Sequence, residues 1–332
     1  MRYVVLGGGA IGGTLAGRLA ERSQNVTVLA RGAHARVLRT SGLRLAMPDR
    51  TVRLHVPVAE SLDQLRLTDG DVLVLAVKSQ HTEQLVRELA WLHADGFPAG
   101  LALPLICAQN GVENERIALR YFRRVYGMCL SVPAVHIEPG RVDALGEPYG
   151  GVIDIGRYAA GVDETVARTV ADLNAAGFFC VAQDRIMRWK YGKLLRNLDN
   201  VVKILLPAEE YAANTGLMRM VGDAAWKEGA ACLTAAGIDF VSDDEWNASR
   251  SRRYGVRPVE GRRHPGNSTW QSFHRGTGNT EADYLNGEIV LVGRSAGFPT
   301  PVNEALQREA IEVAHGTKAP DAGILGGLAE LC

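Results

Sequence analysis

The chain has 332 residues, enough for two domains at roughly 150 residues each. Apolar residues make up 46% and charged residues 22%, the balance of an ordinary globular protein and too apolar for a disordered one. Lys+Arg and Asp+Glu both number 37, so no basic surplus exists to displace the counterions of a polyanion, and a general nucleic-acid binder is excluded.

Tyr3 to Leu6 is a short apolar, strand-prone run. Gly7-Gly8-Gly9-Ala10-Ile11-Gly12 follows and satisfies G-x-G-x-x-G at Gly7, Gly9 and Gly12. Ile11, Leu15 and Leu19 then recur at helical spacing, and Asn25 to Ala30 reads as a second strand. Strand, glycine turn, helix and strand within thirty residues make a dinucleotide site. Gly7 allows the tight turn, Gly9 lets the backbone approach a pyrophosphate, and Gly12 lets the helix pack closely on the sheet. The N–H groups opening the helix at Ala10 and Ile11 face the phosphates with a partial positive charge. The second strand ends Leu29-Ala30-Arg31-Gly32, without the carboxylate that would accept from a ribose 2′-hydroxyl. Arg31 can pair with a 2′-phosphate instead, so the expected cofactor is NADPH rather than NADH.

The α/β pattern continues. Asp71 to Val77 is an almost wholly apolar strand ending at Lys78, and a helix is expected over Glu83 to Leu92. Leu103 to Ala108 is a further strand, ending in Gln109-Asn110-Gly111. Lys78 and Asn110 thus stand just past strand carboxyl ends, where open α/β sheets bind ligands; a solvated lysine and a plain turn are the alternatives. Val132 to Ile137, a turn at Glu138-Pro139-Gly140-Arg141, and Gly151 to Ile155 are expected to finish the sheet. A helix over Thr165 to Ala176 and a short strand over Phe178 to Ala182 close the first domain, giving 1–184 for the dinucleotide and 185–332 for a helical substrate and dimerisation domain.

From Ile186 to Leu206 the pattern is helical. Leu194, Leu198, Val201 and Leu205 form its apolar face, and Lys190, Lys193, Asn197 and Asn200 form a polar stripe beside it. Leu217 to Ala236 is a second helix. Arg250 to Arg263 holds six arginines and reads as a solvated excursion. Thr280 and Asp283 have the form of a capping box with Glu281 in the first helical turn, and Pro301 opens a last helix. The glycine-rich tail from Gly316 is expected to be poorly tied down. Five cysteines (Cys107, Cys129, Cys180, Cys232, Cys332) never form a C-x-x-C pair, so neither a disulfide framework, a metal site nor an oxidising compartment is expected. The longest apolar stretch, Phe97 to Ala108, contains two prolines and is too short to cross a bilayer.

Together these motifs resemble the ketopantoate reductase family over roughly residues 1–313. The resemblance is carried by Gly7-x-Gly9-Ala10-Ile11-Gly12, Lys78, Gln109-Asn110-Gly111, Pro139-Gly140, Trp189 with Lys193-Leu194-Leu195-x-Asn197, Ser268 with Gln271, Thr280-Glu281-x-Asp283-Tyr284-x-Asn286-Gly287, and Gly297-x-Pro299-x-Pro301-x-Asn303. It implies an N-terminal Rossmann-type domain followed by an all-α C-terminal domain. It implies a cytoplasmic NADPH-dependent reductase of a small 2-oxo acid, with a homodimer as the one protein partner carried as an expectation. Lys193 matches the family's catalytic lysine, with Lys190 competing for the role, and Glu281 matches its acidic partner. Asn110, Asn197 and Ser268 match substrate contacts, Asn110 also the cofactor. Arg31 and Lys78 match basic cofactor contacts, and Ala134, ahead of Pro139-Gly140, the nicotinamide end. Hydride delivery to a ketone leaves charge on oxygen, which a lysine ammonium stabilises and protonates. A paralogue acting on another ketone or imine, and a non-catalytic NADP(H) sensor, are the competing readings.

Overall fold

The computed structural model describes residues 1–260, Trp270 and 280–332. The chain divides into two compact units, Met1–Lys190 with Ser242–His264, and Tyr191–Val241 with Pro265–Cys332. In chain order the first unit contains β1 (Arg2–Leu6), α1 (Ala10–Glu21), β2 (Asn25–Leu29), α2 (Gly32–Ser41), β3 (Leu43–Ala46), β4 (Thr51–Leu54), β5 (Val58–Ala59), β6 (Asp71–Leu75), α3 (Thr82–Leu89), β7 (His93–Ala94) and β8 (Phe97–Pro98). It continues with α4 (Ala99–Ala102), β9 (Pro104–Cys107), α5 (Asn114–Leu119), β10 (Arg124–Ser131), β11 (Ala134–Val135), β12 (Arg141–Ala144), β13 (Val152–Arg157), α6 (Glu164–Ala175) and β14 (Phe179–Ala182). The boundary between units falls inside α7 (Ile186–Leu195).

Eight strands form one sheet in the order β14-β13-β10-β9-β6-β1-β2-β5, parallel throughout except where β10 meets β13. Every residue of β6 and β9 is buried, because a parallel sheet covered on both faces leaves no polar side. Leu6 pairs with Leu29 on one side and Leu75 on the other, so β1, β2 and β6 end level. Gly7, Ala30 and Ala76 therefore emerge side by side at the carboxyl edge, where such sheets bind ligands.

A second sheet, β11-β12-β3-β4, is built from strands of two to four residues. The expected strand over Val132 to Ile137 shrinks to Ala134–Val135 and joins this sheet rather than finishing the large one. α1 packs between the two sheets. Its residues from Gly12 to Leu19 are all buried, and Gly13 and Gly17 face Val142 and Leu45 of the second sheet. An ordinary helix hides one stripe; α1 hides its whole girth, which is why five of its first eight positions are glycine or alanine.

Ser242–His264 belongs to the first unit, and one of the contacts that tie it there is a buried cluster around Arg250. The helix Asp243–Arg250 opens with a capping box between Ser242 and Glu245. Its last residue, Arg250, lies only 7% exposed, with one guanidinium nitrogen 2.5 Å from Asp154 of β13. Its Cζ sits 3.8 Å from the Trp246 ring centre and 4.8 Å from that of Trp189. The arginine-rich stretch therefore does not begin as a solvated excursion: Arg250 is a buried cation, whereas Arg252 and Arg257 are exposed.

The described residues of the second unit are helical. α7 ends at Leu195, and after Arg196 and Asn197 the chain resumes as a 3-10 helix over Leu198–Ile204, so the continuous helix expected to Leu206 is broken. Two interactions account for the break. Asn197, Asp199 and Asn200 are poor helix-interior residues whose side chains compete for the backbone. The Leu198 carbonyl accepts from Asn286 Nδ2 at 3.0 Å, a donor outside the helix. The expected apolar face survives the break: Leu194, Leu198, Val201 and Leu205 are all fully buried. Around them pack the helices Thr215–Ala235, Asn286–Ala296 and Pro301–Ala314. The tail is also tied down, contrary to its glycine content. Ala322–Ala329 is a helix that buries Ile324, Leu325 and Leu328, capped by Asp321, whose own N–H donates to the Leu205 carbonyl. No described helix is long and apolar enough to cross a membrane.

Candidate active site

The glycine turn is fixed by backbone sterics. Gly7 takes φ +111°, a region closed to side chains, and a Cβ on Gly12 would fall 1.9 Å from the Gly7 carbonyl oxygen. Gly9 is the N-cap of α1 with no side-chain cap, and a Cβ on it would meet nothing within 4 Å. The opening N–H groups of α1, at Ala10, Ile11 and Gly12, are thus left for an anion beside open space. Behind the turn lies a cavity of about 290 Å³ lined by Gly7, Gly8, Leu29, Ala30, Arg31 and Val77, with His34, His81, Gln84, Leu85 and Glu88 completing its wall. The apolar side chains of Leu29, Ala30, Val77 and Leu85 in its wall suit an adenine ring. Arg31 is exposed and makes no ion pair among the described residues, and the nearest carboxylate of the wall, Glu88, is on α3 and accepts from Gln84. The residues present therefore fit a dinucleotide.

His34 was not legible as part of this site. Its Nδ1 accepts from the Gly140 N–H at 2.9 Å, which places the proton on Nε2, and Nε2 donates to the Gly8 carbonyl at 2.8 Å. Burial, reinforced by His136 at a ring separation of 4.4 Å, lowers its pKa to about 4. One neutral imidazole thus ties the glycine turn to the Pro139-Gly140 turn ahead of β12.

Lys78 follows β6 and Asn110 follows β9, both partly buried. Gln109 joins their loops: its Nε2 donates to the Val77 carbonyl and to Thr82 Oγ1, each at 2.8 Å. Ala134 lies on β11, against α1.

On α7 the two candidate lysines part company. Lys190 is 3% exposed, ion-paired with the buried Glu115, and donates to the Gln109 carbonyl at 3.1 Å. Lys193, one turn on, is partly buried. Asn197, at the start of the 3-10 helix, is buried, and its Nδ2 has no hydrogen-bond partner among the described residues. A buried amide without a partner is costly and marks a place where a ligand can supply one. Asn286 and Asn303 hold this corner: Asn286 donates to Leu198 and to Asn303 Oδ1, and Asn303 donates to the Ala225 carbonyl and to Glu228. Glu281 does not open a helix. It sits in the left-handed region at φ +56°, ahead of a 3-10 turn at Ala282–Tyr284, and Thr280 Oγ1 accepts from Ala282 N in place of the expected capping box. Asp283 accepts instead from Gln307. Ser268 lies outside the described residues.

A parallel α/β sheet with an uncapped glycine turn at its carboxyl edge, followed by a helical unit carrying lysine and asparagine, defines a dinucleotide-dependent oxidoreductase. The family model described as ketopantoate reductase PanE/ApbA matches residues 3–160, and its C-terminal counterpart matches residues 185–313. The chain belongs to the ketopantoate reductase family, whose members are nicotinamide-dinucleotide-dependent oxidoreductases acting on a CH-OH group. It is 26% identical over 306 residues to the 2-dehydropantoate 2-reductase of Pyrococcus horikoshii, spanning 91% of this chain and 94% of that one. It is 27% identical over 312 residues to that of Archaeoglobus fulgidus, at 92% and 95%. Its fold matches a PanE/ApbA family ketopantoate reductase from Ralstonia eutropha JMP134 with a TM-score of 0.77 at 23% identity, covering 95% of this chain and 99% of that one.

Proposed function

We propose that the protein is an NADPH-dependent reductase of a 2-oxo acid, of the 2-dehydropantoate type, with residues 1–184 serving the dinucleotide and 185–332 the substrate. The geometry of α7 carries the reading: Lys190 is buried in an ion pair with Glu115 and donates to the Gln109 carbonyl, a structural placement, whereas Lys193 stands one turn further along and only partly buried. NADPH, when bound, supplies the hydride that reduces the ketone carbon. Gly7, Gly9 and Gly12 shape the turn, the Gly7 N–H donating to the Leu29 carbonyl, so that the backbone N–H groups of Ala10, Ile11 and Gly12 hold its pyrophosphate, and Arg31 and Lys78 balance its phosphate charge. As the carbonyl electron pair moves onto oxygen, Lys193 stabilises the charge and transfers a proton to it, yielding the hydroxy acid and a neutral amine that solvent reprotonates. The unpartnered Asn197 amide, together with Asn110 and Ser268, donates to the substrate's oxygens. Glu281, held in a strained backbone conformation of the kind that clusters at functional sites, orients the lysine.

Oxidation of NADPH by purified protein, followed across a panel of 2-oxo acids that includes 2-dehydropantoate, tests the reading. Turnover with 2-dehydropantoate, lost in Lys193→Ala by ~10²–10⁴-fold, is the expected result. Wild-type kcat in Lys193→Ala on the best substrate would overturn it.

A further inference from the structure

A buried polar network lies under the loops that bear Lys78 and Asn110, and the reaction as proposed makes no direct use of it. Its centre is the Lys190–Glu115 ion pair, with side chains 2% and 0% exposed. Lys190 Nζ also donates to the Gln109 carbonyl. Gln109 Nε2 reaches the Val77 carbonyl, next to Lys78, and Thr82 Oγ1. Thr82 Oγ1 donates to Asn114 Oδ1 at 2.7 Å, and Asn114 Nδ2 donates to the Asn110 carbonyl at 3.0 Å and to Ser79 Oγ at 3.1 Å. The end of β6, the end of β9, the start of α5 and the first half of α7 are thereby joined by side chains that donate to one another and to backbone carbonyls. β10 makes room for the pair: a Cβ on Gly127 would come within 3.3 Å of both Glu115 Oε1 and Lys190 Cδ.

We infer that Lys190 and Glu115 are positioning residues, which fix the loops carrying Lys78 and Asn110 to the first half of α7. The inference rests on the proposed roles of Lys78 and Asn110 for its kinetic half only. Stability does not explain the pair. A buried ion pair loses in desolvation roughly what it gains in attraction, and well-packed apolar replacements of both partners are often neutral or stabilising. Here the account is less favourable still, because Glu115 Oε2 and Gln109 Oε1 are buried without a hydrogen-bond partner. What charge supplies and an apolar pair lacks is direction: an ammonium that must meet one carboxylate and one carbonyl fixes the helix azimuth, and a methyl group does not.

The double variant Lys190→Met, Glu115→Leu separates fixing from filling. Three quantities are read on the full chain: thermal midpoint, NADPH dissociation constant from quenching of tryptophan fluorescence, and kcat on the best 2-oxo acid. The expected result is a midpoint at or above wild type, NADPH binding weakened ~3–10-fold, and kcat lowered ~10–100-fold, the scale of a misplacement near 1 Å. A midpoint held with wild-type affinity and wild-type kcat overturns the inference. Glu115→Asp is the second variant. It keeps both charges, removes only a methylene and draws Lys190 off the Gln109 carbonyl, so a folded Glu115→Asp protein with wild-type affinity and kcat overturns the inference even if the double variant fails to fold. Should wild type reduce no 2-oxo acid, the functional reading fails, and the NADPH titration still decides the positioning role of the pair.

Discussion

At the scale of single residues, His34 shows how a neutral side chain can govern a charged ligand's site. Its Nδ1 must stay unprotonated to accept from Gly140. Its pKa stands at about 4 in the folded protein against 6.5 ordinarily, so between those values the unfolded chain binds a proton that the native state refuses. The stabilisation is complete above about pH 6.5 and is lost progressively as pH falls towards 4. His34→Gln removes the titration. Urea midpoints at pH 7.5 and pH 5.0 should therefore differ less for His34→Gln than for wild type; equal pH dependence in the two proteins would assign the acid sensitivity to other groups. The lysines of α7 bear on the same scale. The sequence set Lys190 and Lys193 on one polar stripe, as if either could face a ligand. Burial separates them, and Lys190→Ala becomes a structural lesion: it leaves Glu115 charged and unpaired in the core, where such breaks cost ~3–5 kcal/mol. Chemical denaturation of Lys190→Ala should show that loss, whereas Lys193→Ala, on a partly buried side chain, should lose turnover and keep most of its stability.

At the scale of elements, the Arg250 cluster makes a sharp prediction. Arg250 is the counter-ion of Asp154, whose carboxyl is pushed up from its usual range by burial even with the guanidinium beside it. Arg250→Ala strands that carboxylate and empties the space between Trp189 and Trp246, so a loss of ~3–5 kcal/mol in denaturant unfolding is expected, with altered tryptophan emission. A loss below about 1 kcal/mol would mean that solvent reaches Asp154. The elements that could be read from sequence and those that could not differ in one respect. β1, β6 and β9 are buried on both faces over nearly their whole length, so their composition alone reveals them. β10 is central too, yet Tyr126, Gly127, Cys129 and Ser131 interrupt its apolar run, because Gly127 makes room for Lys190 and Glu115. The second sheet escaped because strands of two to four residues carry no period. The break at Asn197 escaped because its cause, Asn286, lies 88 positions from Leu198 in sequence. In the candidate site, the residues that sequence could single out are those whose chemistry is local to a motif: the glycines, Arg31, Lys78, Asn110 and Asn197. His34, Glu115 and Gln109 act through distant partners and leave no local pattern.

At the scale of the molecule, the glycine turn, the cavity and Arg31 all belong to the first unit, and this gives cofactor choice a thermodynamic signature. A ligand that binds only the native state stabilises it by RT ln(1 + [L]/Kd), about 2.7 kcal/mol at one hundred times Kd. The 2′-phosphate is the sole chemical difference between NADPH and NADH, and Arg31 is a cation in the cavity wall that makes no ion pair among the described residues. At equal concentrations NADPH should therefore raise the thermal midpoint of wild type more than NADH does. Arg31→Ala should bring the NADPH shift down to the NADH shift while leaving the latter almost unchanged, because the glycine turn and the apolar walls contact what the two cofactors share. A charged hydrogen bond lost at a partly solvated site is worth ~1.5–3 kcal/mol, or roughly 10–150-fold in NADPH affinity. Matching thermal shifts with the two cofactors in wild type would show that Arg31 does not select between them. If Arg31→Ala weakened both equally, the side chain would instead be supporting the turn, and the basis for cofactor preference would have to be sought at Lys78.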